Sequence, residues 1–211
     1  MISKQAEGKG ILAKFLEQGI KIFLKNECRR IGEININIVS SSIEILQGII
    51  QKVYIIAKDI NYKDLLFDEI ELEAKGIKIK FGINNKELNF RNNFIIKFKI
   101  LLSEKSLMSI LSSNNWDWIG DKISKELFSQ SKLENIEINN DELFINTSKG
   151  NKVLKQENIV LIKTERGNLY LENKYYNRSI KIPIEDKVYI QDAIIKDNKI
   201  IISAKSSINF N

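Results

Sequence analysis

Few residues in this chain are of types that carry out chemistry. The 211 residues include no histidine and a single cysteine, Cys28. Serine and cysteine hydrolases of the triad type need an imidazole base near pH 7, so the sequence excludes both, together with any histidine-ligated metal site. One thiol cannot form an internal disulfide or a thiolate metal site. We therefore expect no catalytic residue, no metal and no cofactor.

Carboxylates are the remaining candidates for acid–base chemistry. Glu69, Glu71 and Glu73 alternate along one predicted strand and share its polar face. A pair of carboxylates can hydrolyse a glycosidic bond, and sequence spacing does not exclude that chemistry. A solvated strand face explains the same pattern, and we adopt this interpretation. Gly8-Lys9-Gly10 precedes a predicted helix but lacks the complete phosphate-binding loop pattern, so we expect no phosphate site there.

Basic residues are concentrated at one end of the chain. The net charge is +6, and residues 1–30 contain seven basic residues against three acidic ones. A basic segment on a nearly neutral body is typical of proteins that meet an anionic partner, either lipid headgroups or nucleic acid. Only five arginines are present, and no ribonucleoprotein or helix-turn-helix pattern is found. Nucleic acid is therefore the weaker alternative.

A helix is predicted from Gly10 to Arg30, because apolar residues recur there with a helical period. At about 100° per residue they cover more than half of the circumference, whereas a helix facing one core needs a stripe of only about 100°. Lys14, Gln18, Lys21 and Lys25 occupy the remaining sector. The width of the apolar stripe predicts either burial on two sides or contact with lipid.

Two long regions after this helix alternate apolar and polar residues with the period of antiparallel strands. Ile34, Ile36 and Ile38 begin the first region, which also includes the pair Ile43/Ile45. Gly48 and Gly76 are predicted turns or bulges, Asn-rich segments are predicted hairpin turns, and Pro183 predicts an edge position or a bulge for its run. Ser103 is predicted to cap a second helical region, which Asn114-Asn115 interrupts and Trp116 resumes.

The order of helix, meander, helix and meander predicts an α+β fold. We expect a long curved antiparallel sheet, or a partly open barrel, packed with two to three helices. Residues 1–211 form a single domain in this interpretation, and a duplication with halves 10–101 and 102–205 is an alternative. Trp116-Asp117-Trp118 is the most distinctive local motif. With Trp116 in the core, Trp118 would face outward beside lysines, as at a membrane interface; the alternative is that both rings are core.

Three segments within residues 44–112 share the pattern of a known family. Ile45–Leu65 contains a strand, a glycine and a run with two tyrosines. Asp68–Ile79 alternates acidic and aliphatic residues, and Leu102–Leu107 has a Leu-Ser-Glu helix start. Together they resemble the LmeA-like phospholipid-binding family. Asp64 stands where that family usually has glycine.

The resemblance implies a partly open barrel with packed helices, a bound phospholipid acyl chain and no enzyme chemistry. No apolar signal region follows the first basic residue, and this favours the cyanobacterial type of member. We expect a cytoplasmic protein, or one peripheral on a cytoplasm-facing membrane.

The sequence therefore predicts a non-catalytic protein that binds a lipid or fatty acyl chain, or another elongated apolar ligand. Peripheral attachment to an anionic membrane surface is one location that this prediction allows. The residues expected to line the ligand cavity are Phe15, Ile20, Phe23, Leu24, Leu107, Ile110, Leu111 and Trp116. The residues expected to face the membrane surface are Lys14, Lys21, Lys25, Arg29 and Trp118. The competing alternatives are an adaptor that docks a protein partner through the same helices, and nucleic-acid binding through the basic helix.

Overall fold

The computed structural model describes residues 10–81, 88–129, 132–149, 152–154 and 159–209. Within these ranges the chain forms four helices and thirteen antiparallel strands, and the predicted α+β fold class is confirmed. The strands form two sheets, and neither of them closes into a barrel within the described ranges.

The elements in chain order are α1 (Ile11–Glu27), β1 (Arg30–Val39), α2 (Ser42–Leu46), β2 (Ile49–Tyr62), β3 (Leu65–Phe81), β4 (Leu88–Phe90), β5 (Phe94–Ser103), α3 (Glu104–Leu111), α4 (Asp117–Phe128), β6 (Lys132–Asn139), β7 (Glu142–Lys149), β8 (Lys152–Leu154), β9 (Ile159–Glu165), β10 (Asn168–Asn173), β11 (Ser179–Lys181), β12 (Val188–Lys196) and β13 (Lys199–Ile208). The first sheet has the order β1-β2-β3-β5-β13-β12, with β4 beside β3. The second has the order β11-β10-β9-β7-β6, with β8 beside β7.

The first sheet has an inner apolar face and an outer, largely polar face. Ile55, Leu72 and Phe98 lie opposite one another on three neighbouring strands of the inner face. Glu71 and Lys99 lie opposite one another on the outer face. Successive side chains of a strand point to opposite faces of the sheet, so the apolar residues of the alternating pattern lie on the inner face and most of the polar ones on the outer face.

Two groups of elements cover opposite ends of the inner face. Helices α1 and α2 pack at the end that carries Ile38 and Phe94. Helices α3 and α4, together with the second sheet, pack at the end that carries Leu102 and Ile200. Burial of each such aliphatic side chain contributes roughly 1.5–3 kcal/mol, which makes these clusters the main stabilising contacts.

Helix α2 corrects one expectation from the sequence, since the pair Ile43/Ile45 predicts a strand there. Instead, the Ser41 hydroxyl accepts a hydrogen bond from the Glu44 amide, and the Glu44 carboxylate accepts one from the Ser41 amide at 2.8 Å. This reciprocal pair is a capping box, which satisfies two amides at the start of a helix. The spacing Ser41-x-x-Glu44 carries that signal in the sequence.

The proposed duplication divides the chain inside one sheet. The boundary after residue 101 falls within β5, and β13 from the later half pairs with β5 along its whole length. The two halves therefore share the first sheet. The predicted edge position of the run around Pro183 agrees with the structure, because β11 is an edge strand and ends at Lys181.

Candidate functional site

Helix α1 presents apolar side chains on two opposite sides. Ala13, Leu16 and Ile20 pack against the inner face of the first sheet. Phe15 and Ile22 lie on the other side and are 71% and 60% exposed. Within the described residues the wide apolar stripe is therefore covered on one side only.

The most exposed large hydrophobic residues of the described chain are concentrated on α1 and α2. Seven of them are between 60% and 72% exposed, and six of the seven belong to these two helices. The two helices lie together, because a Cβ on Gly10 would be 2.6 Å from the Ser42 Oγ. We call these six residues the apolar surface: Ile11, Phe15, Ile22, Phe23, Ile43 and Leu46.

Three lysines border the apolar surface along α1. Lys14, Lys21 and Lys25 are spaced at i, i+7 and i+11, which places them within a sector of about 40° on the helix. Lys14 and Lys25 are exposed, and Lys21 is half-buried. The three ammonium groups therefore form one row beside the exposed Ile11, Phe15 and Ile22 side chains rather than opposite them.

Two acidic residues also lie on α1. The Glu17 carboxylate is directed at the body of the protein, where it accepts a hydrogen bond from the Ile38 amide of β1 at 2.7 Å. Glu27 is the last residue of the helix. Helix α1 thus carries three lysines and two carboxylates, and one of these carboxylates contacts β1.

Arg29 and Trp118, also predicted to face a membrane, lie away from this row. Arg29 follows the end of α1, and its guanidinium forms an ion pair with Asp64 in the turn between β2 and β3. The Asn115 amide donates to the same carboxylate at 2.6 Å. Trp118 is 45% exposed on α4, whose main neighbours are α3 and the second sheet.

The residues predicted to line one ligand cavity are divided between separate parts of the molecule. Of the four on α1, Ile20 and Leu24 pack in two different clusters against the first sheet, and Phe15 and Phe23 are exposed.

The other four predicted cavity residues all pack in the core beneath the second sheet: Leu107, Ile110, Leu111 and Trp116. The Trp116 indole also donates to the Lys63 carbonyl at 2.8 Å, which secures the loop between α3 and α4 to the β2–β3 turn. The structure therefore does not bring the predicted residues of α1 and of α3 together around one cavity.

The three alternating carboxylates form cross-strand ion pairs. Glu69, Glu71 and Glu73 lie within 4 Å of lysines on neighbouring strands, from 3.8 Å for Lys58–Glu69 to 3.0 Å for Lys99–Glu71. A hydrogen bond from Lys75 and the nearby Lys52 hold the pKa of Glu73 below its ordinary value. A glycosidase needs one carboxyl group with a raised pKa as its general acid, and Glu73 does not supply that group.

Two open grooves are formed by described residues of the sheets, and no helix residue lines either of them. A groove of about 550 Å³ crosses the outer face of the first sheet, and one of about 320 Å³ lies between β9 and β12. Within the described ranges, no group of three or more His, Cys, Asp or Glu side chains could hold a metal ion. Lys9 and Gly8 of the Gly-Lys-Gly segment lie outside the described residues.

None of the helices in the described part of the chain is long and apolar enough to cross a membrane. No family model, curated protein or solved structure matches the chain. The resemblance of residues 44–112 to the LmeA-like family therefore stays a prediction.

Proposed function

We propose that the protein binds lipid without catalysis, by attaching to the surface of an anionic membrane through the apolar surface of α1 and α2. One observation carries this proposal. Six of the seven most exposed large hydrophobic residues belong to α1 and α2, and a row of three lysines lies beside Ile11, Phe15 and Ile22 on α1. An apolar face flanked by cations is typical of helices that lie in the plane of a bilayer interface.

The geometry of α1 suits shallow insertion. Its inner side is held against the first sheet, so Phe15 and Ile22 point away from the body of the protein. Transfer of each such side chain from water into the acyl boundary contributes roughly 1.5–3 kcal/mol. Each lysine near an anionic surface adds about 1 kcal/mol. Lys14, Lys21 and Lys25 would then lie at the depth of the headgroups.

The same features favour a lipid surface over the two alternatives. Lysine is depleted in interfaces between proteins, whereas here three lysines border the exposed apolar residues. Nucleic acid would use the cations but would leave Ile11, Phe15 and Ile22 exposed to water, because its affinity comes mainly from phosphate contacts. An anionic lipid surface is the partner that can contact both the exposed apolar side chains and the lysine cations.

Vesicle flotation tests the apolar part of the surface. We expect the protein to float with vesicles of phosphatidylglycerol and phosphatidylcholine, and a Phe15→Ser/Ile22→Ser variant to bind at least about tenfold more weakly, since two inserted side chains are lost. Tyr175→Ser/Tyr176→Ser is the matched control, because these two aromatic residues are similarly exposed elsewhere. Equal binding by the two double variants would count against the proposal.

The cationic row is tested in the same assay. Lys14→Glu/Lys21→Glu/Lys25→Glu should abolish flotation, and added salt should weaken binding by the unmodified protein. Lys181→Glu/Lys187→Glu/Lys196→Glu changes the net charge equally at exposed positions on other elements. If the wild-type protein does not float with any anionic vesicle, the proposal is wrong, and the apolar surface is instead a candidate for docking a protein.

A further inference from the structure

The groove on the outer face of the first sheet crosses several neighbouring strands. Asn37, Tyr54, Glu73 and Lys97 lie along its length, on β1, β2, β3 and β5 in turn. They are directly opposite one another in register, as Asn37↔Tyr54, Tyr54↔Glu73 and Glu73↔Lys97. Its volume of about 550 Å³ is within the usual range of small-molecule sites, roughly 300–1,000 Å³.

Lys97 is the lysine of this row, and its neighbour on the next strand is a second lysine that lies beside the lining of the groove. Lys97 on β5 is directly opposite Lys205 on β13. Like charges directly opposite on neighbouring strands destabilise a sheet. The Lys205 ammonium lies 4.9 Å from the centre of the Tyr189 ring, a cation–π contact, and among the described residues it forms no ion pair with a carboxylate.

The neighbouring carboxylates are engaged by other lysines. Glu73 is in register with Lys97, yet its carboxylate lies 2.7 Å from the Lys75 ammonium and 3.4 Å from that of Lys52. Glu71 is 3.0 Å from Lys99. Among the described residues Lys97 has no ion-pair partner, and it is exposed in the middle of the groove.

A β-bulge adds a polar group to the same groove. The pairing of β12 with β13 shifts between Ile190 and Asp192, so that Gln191 is an extra residue, and Gln191 lines the groove. Bulges commonly redirect a side chain next to a binding site. The Gln191 amide and the Ser203 hydroxyl can both donate hydrogen bonds beside Lys97.

We propose that this groove binds a small molecule carrying a phosphate monoester, and that Lys97 in the groove holds the phosphate together with Lys205, its neighbour on β13. A phosphate monoester carries a charge of about −1.5 to −2 at pH 7, which matches two adjacent ammonium groups better than one carboxylate does. The Tyr54 ring and the Ile56 side chain offer the rest of the ligand an apolar contact. This inference is independent of the proposed attachment to membranes, which uses α1 and α2.

Amide chemical shifts measured by NMR test the site directly. We titrate the protein with sn-glycerol 3-phosphate, with adenosine 5′-monophosphate and with glycerol. We expect the signals of Tyr54, Lys97, Gln191 and Ser203 to shift with either phosphate or with both, and not with glycerol. A response to glycerol 3-phosphate alone indicates a lipid headgroup, and a response to the nucleotide alone indicates a nucleotide. No shift at these residues with either phosphate overturns the proposal.

Lysine variants test whether the phosphate binds through Lys97 and Lys205 rather than through another part of the sheet. Lys97→Gln/Lys205→Gln should raise the dissociation constant of the phosphate at least about tenfold, the effect of losing roughly 1.4 kcal/mol. Lys181→Gln on β11 is the control at an exposed lysine of the other sheet. Lys97→Gln alone leaves the cation–π contact of Lys205 in place, so it tests the site even if the double variant is unfolded.

Unchanged binding in Lys97→Gln contradicts the proposal. The Phe15→Ser/Ile22→Ser variant should bind the phosphate as the wild-type protein does, so failure at the groove is distinguishable from failure at the membrane surface.

Discussion

The ion pairs of Glu73 stabilise the outer face of the first sheet, and they also leave Lys97 without a share in the Glu73 carboxylate. Lys75 and Lys52 hold its pKa below the ordinary value of 4.5, with the Lys75 hydrogen bond as the larger cause. Its carboxylate therefore stays ionised and paired with these two lysines at neutral pH. Lys97, which is opposite Glu73 in register, consequently keeps its own charge available.

The lowered pKa of Glu73 predicts a direction for the effect of pH on stability. A carboxylate favoured in the folded state contributes stability above its unfolded pKa, and this contribution is lost as the pH falls through the folded pKa. We expect an NMR titration of the side-chain carboxyl carbon to give Glu73 a pKa below 4.5, and Lys75→Gln to raise it. A Glu73 pKa at or above 4.5, or one insensitive to Lys75→Gln, would disprove this description of the ion pairs.

Individual residues show which features the sequence predicts and which depend on the folded structure. The outward position of Trp118 follows from helical geometry once Trp116 is assigned to the core, and Trp118 is indeed partly exposed. The partner of Arg29 could not be predicted, because Asp64 is 35 residues away and meets it only through the first sheet. Phe15 and Phe23 show the same limit, since periodicity identifies an apolar stripe but not what covers it.

At the scale of elements, the turn after α2 depends on one glycine. Gly48 has a φ of 75°, and a Cβ there would lie 2.1 Å from the Ile79 carbonyl oxygen of β3. The Ile79 amide in turn donates to the Gly48 carbonyl at 2.7 Å. The sequence indicates a turn or a bulge at Gly48, but the approach of β3 from 31 residues further along the chain is a tertiary feature.

Two glycine substitutions test this reading of the turn. Gly48→Ala should destabilise the protein by at least about 2 kcal/mol, because it adds both a strained φ and a clash with the backbone. Gly19→Ala is the control: it lies in α1 with nothing within 4 Å of its Cβ position, and we expect a gain of up to about 1 kcal/mol. Urea denaturation measures both, and similar effects of the two substitutions would contradict the account.

Two local sequence signals mark where helices and strands begin: capping residues and the period of the apolar residues. At some positions they predict different elements. Ser103 is a predicted cap, and its hydroxyl accepts a hydrogen bond from the Ser106 amide at the start of α3. The equivalent signal at Ser41 is hidden by the alternation of Ile43 and Ile45, so α2 is missed. A five-residue helix has too few residues to show a period, and only its capping pair distinguishes it from a strand.

At the scale of the whole molecule, the fold packs apolar residues into the core and leaves six of the seven most exposed large hydrophobic residues of the described chain on α1 and α2. The inner face of the first sheet is covered by α1 and α2 at one end and by α3, α4 and the second sheet at the other. The sequence predicts a container for a lipid chain that is lined by α1 and α3 together, but these helices occupy opposite ends of that face. Packing between segments that are distant in the sequence determines which sides of the helices are in contact. A local sequence pattern does not contain this information.

In the proposed function, the outward side of α1 enters the interface of an anionic membrane. The most direct test attaches an environment-sensitive nitrobenzoxadiazole probe to Phe15→Cys in a Cys28→Ser background, and to Tyr175→Cys as the control. With phosphatidylglycerol vesicles, we expect the probe at position 15 to show a strong rise and a blue shift of its emission. The probe at position 175 should change little. No change at position 15, or equal changes at both positions, would contradict it.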